Sequence, residues 1–179
     1  MSHLKIKGII DNIKERTNVY TPLIEAIVNS IEGIDEAGRN DGEIKIVLKR
    51  KAATTDLFDN SALPDIFSIE VHDNGIGFNQ KNRDSFDTLY SDLKIKKGGK
   101  GFGRFIFLKY FENVKIESIY KNDDQYFSRN FDFGKNEEII ENEVCAETLS
   151  TNENRTILFL ENLRDKKLDK KIETIDIMT

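Results

Sequence analysis

The stretch Phe67-Ser-Ile-Glu-Val-His72-Asp73-Asn-Gly75-Ile-Gly77-Phe78 decides how this chain is read. Phe67 to His72 alternates apolar and polar residues, as a half-buried strand does. The strand runs directly into a carboxylate on a glycine turn. Glycines let the backbone turn tightly and approach another group closely, and an Asp held there can accept a hydrogen bond from an exocyclic amine. Asp-Asn-Gly is also a strong hairpin signal. The residues after Gly77 are polar and do not resemble a partner strand, yet on this motif alone both readings stay open.

Working outward toward the N-terminus, Thr21-Pro22 marks a helix start, with Thr able to cap and Pro suited to the first helical position. Leu23, Ile24, Ile27, Val28, Ile31 and Ile34 then recur at helical spacing, and the helix is expected to end near Ala37-Gly38. Glu25 and Asn29 sit four apart within it and therefore share a face. A carboxylate one turn from an amide suits a water-activating base beside a metal-ligating oxygen, or simply a polar edge on an amphipathic helix. Toward the C-terminus, Gly98-Gly-Lys-Gly101-Phe-Gly103-Arg104 opens a helix expected over Arg104 to Phe111. Glycines before a helix expose backbone N–H groups that can cradle phosphate, or they form a hinge in a solvated charge run. The spacing is neither that of a P-loop nor that of the dinucleotide fingerprint. Thr156 begins the apolar strand Thr156 to Leu160, where β-branched Thr is ordinary.

The remaining segments fill in around these. Residues 5–15 read as a short amphipathic helix or arm, and Asn40-Asp-Gly42 as a turn. Glu43 to Lys49, Val114 to Tyr120 and Tyr126 to Phe133 read as strands. Residues 51–65 read as a loop or hairpin tip, 79–97 as a polar mobile segment, and 134–153 as acidic with no clear element. The order is helix, two strands, loop, helix, three strands. It predicts an α+β two-layer sandwich, a mixed and mostly antiparallel sheet with helices on one face.

At 179 residues the chain is expected to form one domain with its own core. Hydrophobic residues at 38 % and charged residues at 33 % place it with globular rather than disordered chains. The net charge of −5, from 27 basic and 32 acidic residues, gives no reason to expect general nucleic-acid binding. Cys145 is the sole cysteine, so no internal disulfide can form. His3 and His72 are too far apart in sequence to suggest a Cys/His zinc site. No signal-peptide core and no membrane-length apolar run is visible, and the chain reads as cytoplasmic with no membrane partner.

The three motifs and the late threonine, in this order and with these gaps, resemble the GHKL ATPases: DNA gyrase, the ninety-kilodalton heat-shock chaperone, histidine kinases and MutL. The resemblance covers residues 20–160 and implies the Bergerat-type ATP-binding fold with ATP and Mg²⁺ as cofactors. It divides the chain into an arm or short helix (1–19), an ATP-binding domain (20–163) and a charged segment (164–179) that begins a further domain. It implies that Glu25 activates the attacking water and that Asn29 ligates Mg²⁺. Asp73, with Gly75, Ile76 and Gly77, would hold the adenine amine directly and through a water shared with Thr156. Residues 79–97 become a lid over the nucleotide. Gly98, Gly99, Gly101, Phe102 and Gly103 would wrap the phosphates, with Lys96, Lys97 and Lys100 as candidate phosphate contacts.

Two departures accompany the resemblance. Gly33 stands beside the base pocket where the family usually has Ala, and no second domain is visible, whereas hydrolysing members often take a catalytic lysine or arginine from one. The implied function is Mg²⁺-dependent ATP hydrolysis that gates dimerisation or a downstream module, with slow turnover by this chain alone. A histidine-kinase-type catalytic domain and a non-hydrolysing ATP-binding switch are the alternatives. Histidine kinases usually lack a glutamate in the Glu25 position, and a non-hydrolysing switch would be expected to have lost it. The implied partners are ATP, a second copy of the chain in an ATP-dependent homodimer, and a further domain or protein carrying the output. Nucleic acid is left open.

Overall fold

The structure is a computed structural model that describes residues 6–13, 20–51, 65–88, 103–135, 138–149, 151 and 153–164. In chain order the elements are α1 (Ile6–Asn12), α2 (Tyr20–Ala37), β1 (Ile44–Arg50), β2 (Ile66–Asp73) and α3 (Gln80–Asp87). There follow a 3₁₀ turn (Gly103–Phe105) leading into α4 (Ile106–Tyr110), then β3 (Phe111–Asn122), β4 (Gln125–Phe133), β5 (Ile140–Glu147) and β6 (Arg155–Leu163). The six strands form one sheet in the order β1-β2-β6-β3-β4-β5. All five pairings are antiparallel, so the parallel component of the expected mixed sheet is absent among the described strands. The α+β layering is as expected.

Register explains which side chains face the helices. Ile46, Val71, Leu158, Ile116 and Phe131 stand opposite one another across five strands. Leu48, Ile69, Leu160 and Val114 form a second such row. Directly opposed residues share a face, so each row is a continuous apolar band. The α2 helix packs on β1, β2 and α4, and α1 packs on α4. Phe105, Phe111, Leu108 and Leu160 are fully enclosed between the layers. Each such side chain stabilises the fold by roughly 1.5–3 kcal/mol through apolar burial. Among the described residues, no helix is long and apolar enough to cross a membrane.

Three expectations are corrected. The first concerns the inward face of α2. Leu23, Ala26 and Ser30 are buried, whereas Ile24, Val28 and Ile31 are exposed. Ala26 and Ser30 point inward where the helix lies close to the sheet, Leu23 and Ile27 pack on the core, and Ile24, Val28 and Ile31 face out.

The second concerns residues 79–97. Residues 80–87 are a helix, and 89–97 lie outside the described residues. Asn79 caps α3, its side chain accepting from the Asn82 amide at 2.9 Å. Arg83 then ties the helix to β5 through Glu143 at 2.9 Å and closes onto Asp87 one turn along at 2.7 Å. Glu143 above all, with Asp87, holds the Arg83 guanidinium further toward its charged form.

The third concerns residues 134–153. They include the edge strand β5, so four strands rather than three follow α4. Its residues from Glu143 to Glu147 are exposed, as on an edge, and therefore carry no apolar period.

Arg129, on β4, is the buried polar centre of this half. Its guanidinium donates to the carbonyls of Phe78 and Asn79 at 2.9 and 3.2 Å and to Gln80 Oε1 at 2.9 Å. It pairs with Glu143 at 3.2 Å and lies over the Tyr120 ring. The turn that leaves β2 is thus fastened to the sheet by one side chain. Replacing it leaves two carbonyls and a carboxylate to be resatisfied in a poorly hydrated place. Arg129→Met is expected to lower unfolding free energy by about 2–4 kcal/mol in urea, with an unchanged m-value. A loss below about 0.5 kcal/mol, as for a surface substitution, would contradict this assignment.

Candidate functional site

The site begins with a backbone contact. The Ile76 amide donates to the carbonyl of Gly33 at 2.9 Å, bringing the turn after β2 against α2. A Cβ on Gly75 would lie 2.6 Å from the Gly33 carbonyl carbon and 2.9 Å from its oxygen, so position 75 admits only glycine without movement. A Cβ on Gly33 would meet nothing within 4 Å. The family's usual Ala therefore fits here too, and the departure at this position has no steric consequence.

This approach places Ser30 beside Asp73. Ser30 Oγ donates to Asp73 Oδ2 at 3.1 Å, and the Gly75 amide donates to Asp73 Oδ1 at 3.0 Å. Both carboxylate oxygens are held, in an Asx-type turn closed by a helix side chain. Burial pushes the Asp73 carboxyl above its ordinary value, while Gly75, Ser30 and the neighbouring His72 pull it back.

Across the sheet, Ile44, Asp73, Thr156, Ser118, Arg129 and Cys145 stand in one register row. Thr156 Oγ1 and Ser118 Oγ share a hydrogen bond at 3.2 Å, and Ser118 Oγ also accepts from the Phe78 amide at 2.9 Å. Gly77 has φ +76°, and a Cβ there would meet Ser118 Oγ at 2.8 Å and Tyr120 Cβ at 2.9 Å. Positive φ and close approach both favour glycine at 77.

A cavity of about 490 Å³ opens above this row. Asp73, Ile76, Gly77, Gly33, Asn29 and Thr156 line it, so the helix, turn and strand motifs meet at one place. Its other walls include Ala26 and Ser30 of α2, Asn82 and Phe86 of α3, Phe107 of α4, and Arg104. Lys81 Nζ meets Glu36 Oε1 at 2.7 Å between α3 and α2, and both residues line the cavity. Glu25 Oε1 accepts from Asn29 Nδ2 at 3.3 Å. The Glu25 carboxylate lies against Gly103, where a Cβ would collide with it. Lys96, Lys97, Gly98, Gly99, Lys100, Gly101 and Phe102 lie outside the described residues.

Sequence reasoning missed Ser30, Ser118, Arg104 and Arg129 as parts of this arrangement. Ser30 follows Asn29 directly and was findable as the next inward helix position. Ser118 and Arg129 are isolated polar residues in apolar strands, and only the strand register connects them to Asp73.

The glycine pair yields opposite expectations. Gly75→Ala should cost about 1–3 kcal/mol as overpacking. Gly33→Ala should stabilise α2 by up to about 1 kcal/mol. Equal effects in denaturant unfolding would refute the close-contact account.

The raised Asp73 pKa has a definite sign. The folded chain holds this proton more tightly than the unfolded chain, so stability from Asp73 is present at acid pH and lost as pH rises through its titration. Unfolding at about pH 4 and about pH 7 should therefore show Asp73→Asn gaining stability relative to wild type toward neutral pH. A difference that stayed constant, or ran the other way, would contradict the burial-driven shift.

No family model matches the sequence, and no curated protein matches it by sequence. Solved structures do match by shape. The ATPase region of Saccharomyces cerevisiae topoisomerase II aligns with TM-score 0.53 and 14 % identity, over 80 % of this chain and 38 % of that one. The ATPase and transducer domains of DNA topoisomerase II from Balamuthia mandrillaris align with TM-score 0.51 and 14 % identity, over 80 % and 37 %. The N-terminal domain of a DNA repair protein aligns with TM-score 0.50 and 17 % identity, over 88 % and 39 %. The chain thus spans less than two fifths of each of these three solved chains. At these identities the likeness is one of fold: the chain has the Bergerat-type architecture of topoisomerase II ATPase regions.

Proposed function

We propose that the cavity binds ATP with Mg²⁺ and that the chain hydrolyses it, the nucleotide state gating self-association or a further module. The observation that carries this reading is the setting of Asp73. A carboxylate fixed by Ser30 and Gly75, level with Thr156, lines a cavity in a fold shared with ATPase regions.

Each residue then has a chemical task. Asp73 accepts from the adenine amine, and Thr156 supplies a hydroxyl for a bridging water. Gly77 and Ile76 form the wall against which the base lies. Glu25 takes a proton from the attacking water as the terminal phosphoryl group is transferred to it, leaving ADP and phosphate. The Asn29 amide nitrogen engages Glu25, and its oxygen supplies the cation-ligating chemistry.

The donor set fits Mg²⁺ on those terms. Among the described residues no cluster of three His, Cys, Asp or Glu could hold a metal. Mg²⁺ commonly takes one or two protein oxygens and completes its shell with phosphate and water. Bound there, it would neutralise charge on the phosphates.

Calorimetric titration with a non-hydrolysable ATP analogue tests the reading. Binding should depend on Mg²⁺ and fall at least about tenfold in Asp73→Asn, because the amide presents a donor to a donor. Glu25→Ala should retain binding and lose phosphate release by roughly 10²–10⁴-fold. Wild-type affinity in Asp73→Asn would place the site elsewhere. Undiminished phosphate release from Glu25→Ala would remove Glu25 as the base, and an absence of hydrolysis in wild type would leave a binding switch.

A further inference from the structure

Arg104 immediately follows the last residue of the glycine-rich stretch, and its side chain is an unusual tenant for its position. The residue is 4 % exposed and lines the cavity. Its guanidinium lies 5.2 Å from the centre of the Phe86 ring and 4.9 Å from that of Phe105, and it donates to the Thr88 carbonyl at 3.0 Å. Two rings and a carbonyl fix its plane while keeping it out of bulk water. The preceding residue, Gly103, touches the Glu25 carboxylate, so Arg104 belongs to the end of the cavity where Glu25 and Asn29 stand.

We infer that Arg104 is a phosphate-binding residue supplied by this domain itself, taking oxygens of the nucleotide's terminal phosphates. This rests on the ATP reading of the cavity. A guanidinium presents its donors in a planar fork that matches phosphate oxygens, and a desolvated cation attracts an anion far more strongly than a solvated one. Burial draws the Arg104 guanidinium down to about 10, against the opposing pull of the Asp87 and Glu25 charges. A polyphosphate in the cavity would place negative charge beside this buried cation. The other basic residue among those lining the cavity, Lys81, is engaged with Glu36.

A purely structural role, in which Arg104 only joins Thr88 to the start of α4, makes a different prediction, and ligand truncation separates the two. The full chain would be titrated with a non-hydrolysable ATP analogue and with adenosine, as wild type, Arg104→Gln, Arg104→Lys and Asp73→Asn. Arg104→Gln should weaken the ATP analogue roughly 10- to 100-fold, the loss of a charge-assisted pair, and leave adenosine within about twofold. Arg104→Lys, which keeps the charge without the fork, should fall between. Equal weakening of both ligands, or an unchanged preference for the ATP analogue, would overturn the inference while the ATP reading stood. A wild-type chain that bound neither ligand would overturn the ATP reading, and this inference with it. Should thermal melting show Arg104→Gln to be unfolded, Arg104→Lys decides: an undiminished preference for the ATP analogue over adenosine overturns the inference.

Discussion

Everything at the site depends on two backbones touching. The Gly33 carbonyl accepts from Ile76, and Gly75 leaves no room for a Cβ between the turn and α2. That contact sets the depth at which α2 sits over the sheet. With Ala26 and Ser30 on its inward line, the helix can come close enough for a short serine to reach a carboxylate on a strand end. A larger residue on that line would hold the helix away and leave Asp73 with one anchored oxygen instead of two. Ile24, Val28 and Ile31 of the same helix are turned outward, while Leu23 and Ile27 pack toward the core away from this contact.

The second constraint is sheet register. Asp73, Thr156 and Ser118 come from three strands whose order in space is not their order in sequence. They are neighbours because antiparallel pairing puts them directly opposite one another. A slip of one residue in β6 would turn Thr156 to the far face and set Ile157 or Arg155 opposite Asp73 in its place. The apolar bands beneath, from Ile46 to Phe131 and from Leu48 to Val114, resist that slip because they would be exposed by it. Core packing and site chemistry are thus specified by the same pairing.

This explains what could be read from the sequence and what could not. The layering, α2, β2 and the glycine turn were legible because each is a local pattern: a capped helix, an alternating strand, a glycine pair. The α3 helix was not, since its eight residues include only one large apolar side chain, Phe86, and its order comes from an Asn cap and ion pairs to β5. β5 itself was hidden because an exposed edge strand needs no alternation. Arg129 and Arg104 were invisible for a deeper reason. In sequence they look like surface charges, and only tertiary placement shows one fastening a turn and the other lining a cavity. On α2 the apolar period marks the helix but not its depth, because Leu23 and Ile27 pack inward beside Ala26 and Ser30 while Ile24, Val28 and Ile31 face out.

Two buried ionisable groups remain strained in opposite senses by one environment. Burial raises the Asp73 carboxyl and lowers the Arg104 guanidinium, each toward its neutral form. A chain optimised for stability alone would replace both, since desolvated charges are commonly improved by apolar or neutral substitutes. On the ATP reading, an occupant would offer a donor to the carboxylate and negative charge to the guanidinium. A ligand with an amine-bearing base and a phosphate chain would meet both demands at once, whereas a purely apolar ligand would meet neither and a purely cationic one only that of Asp73.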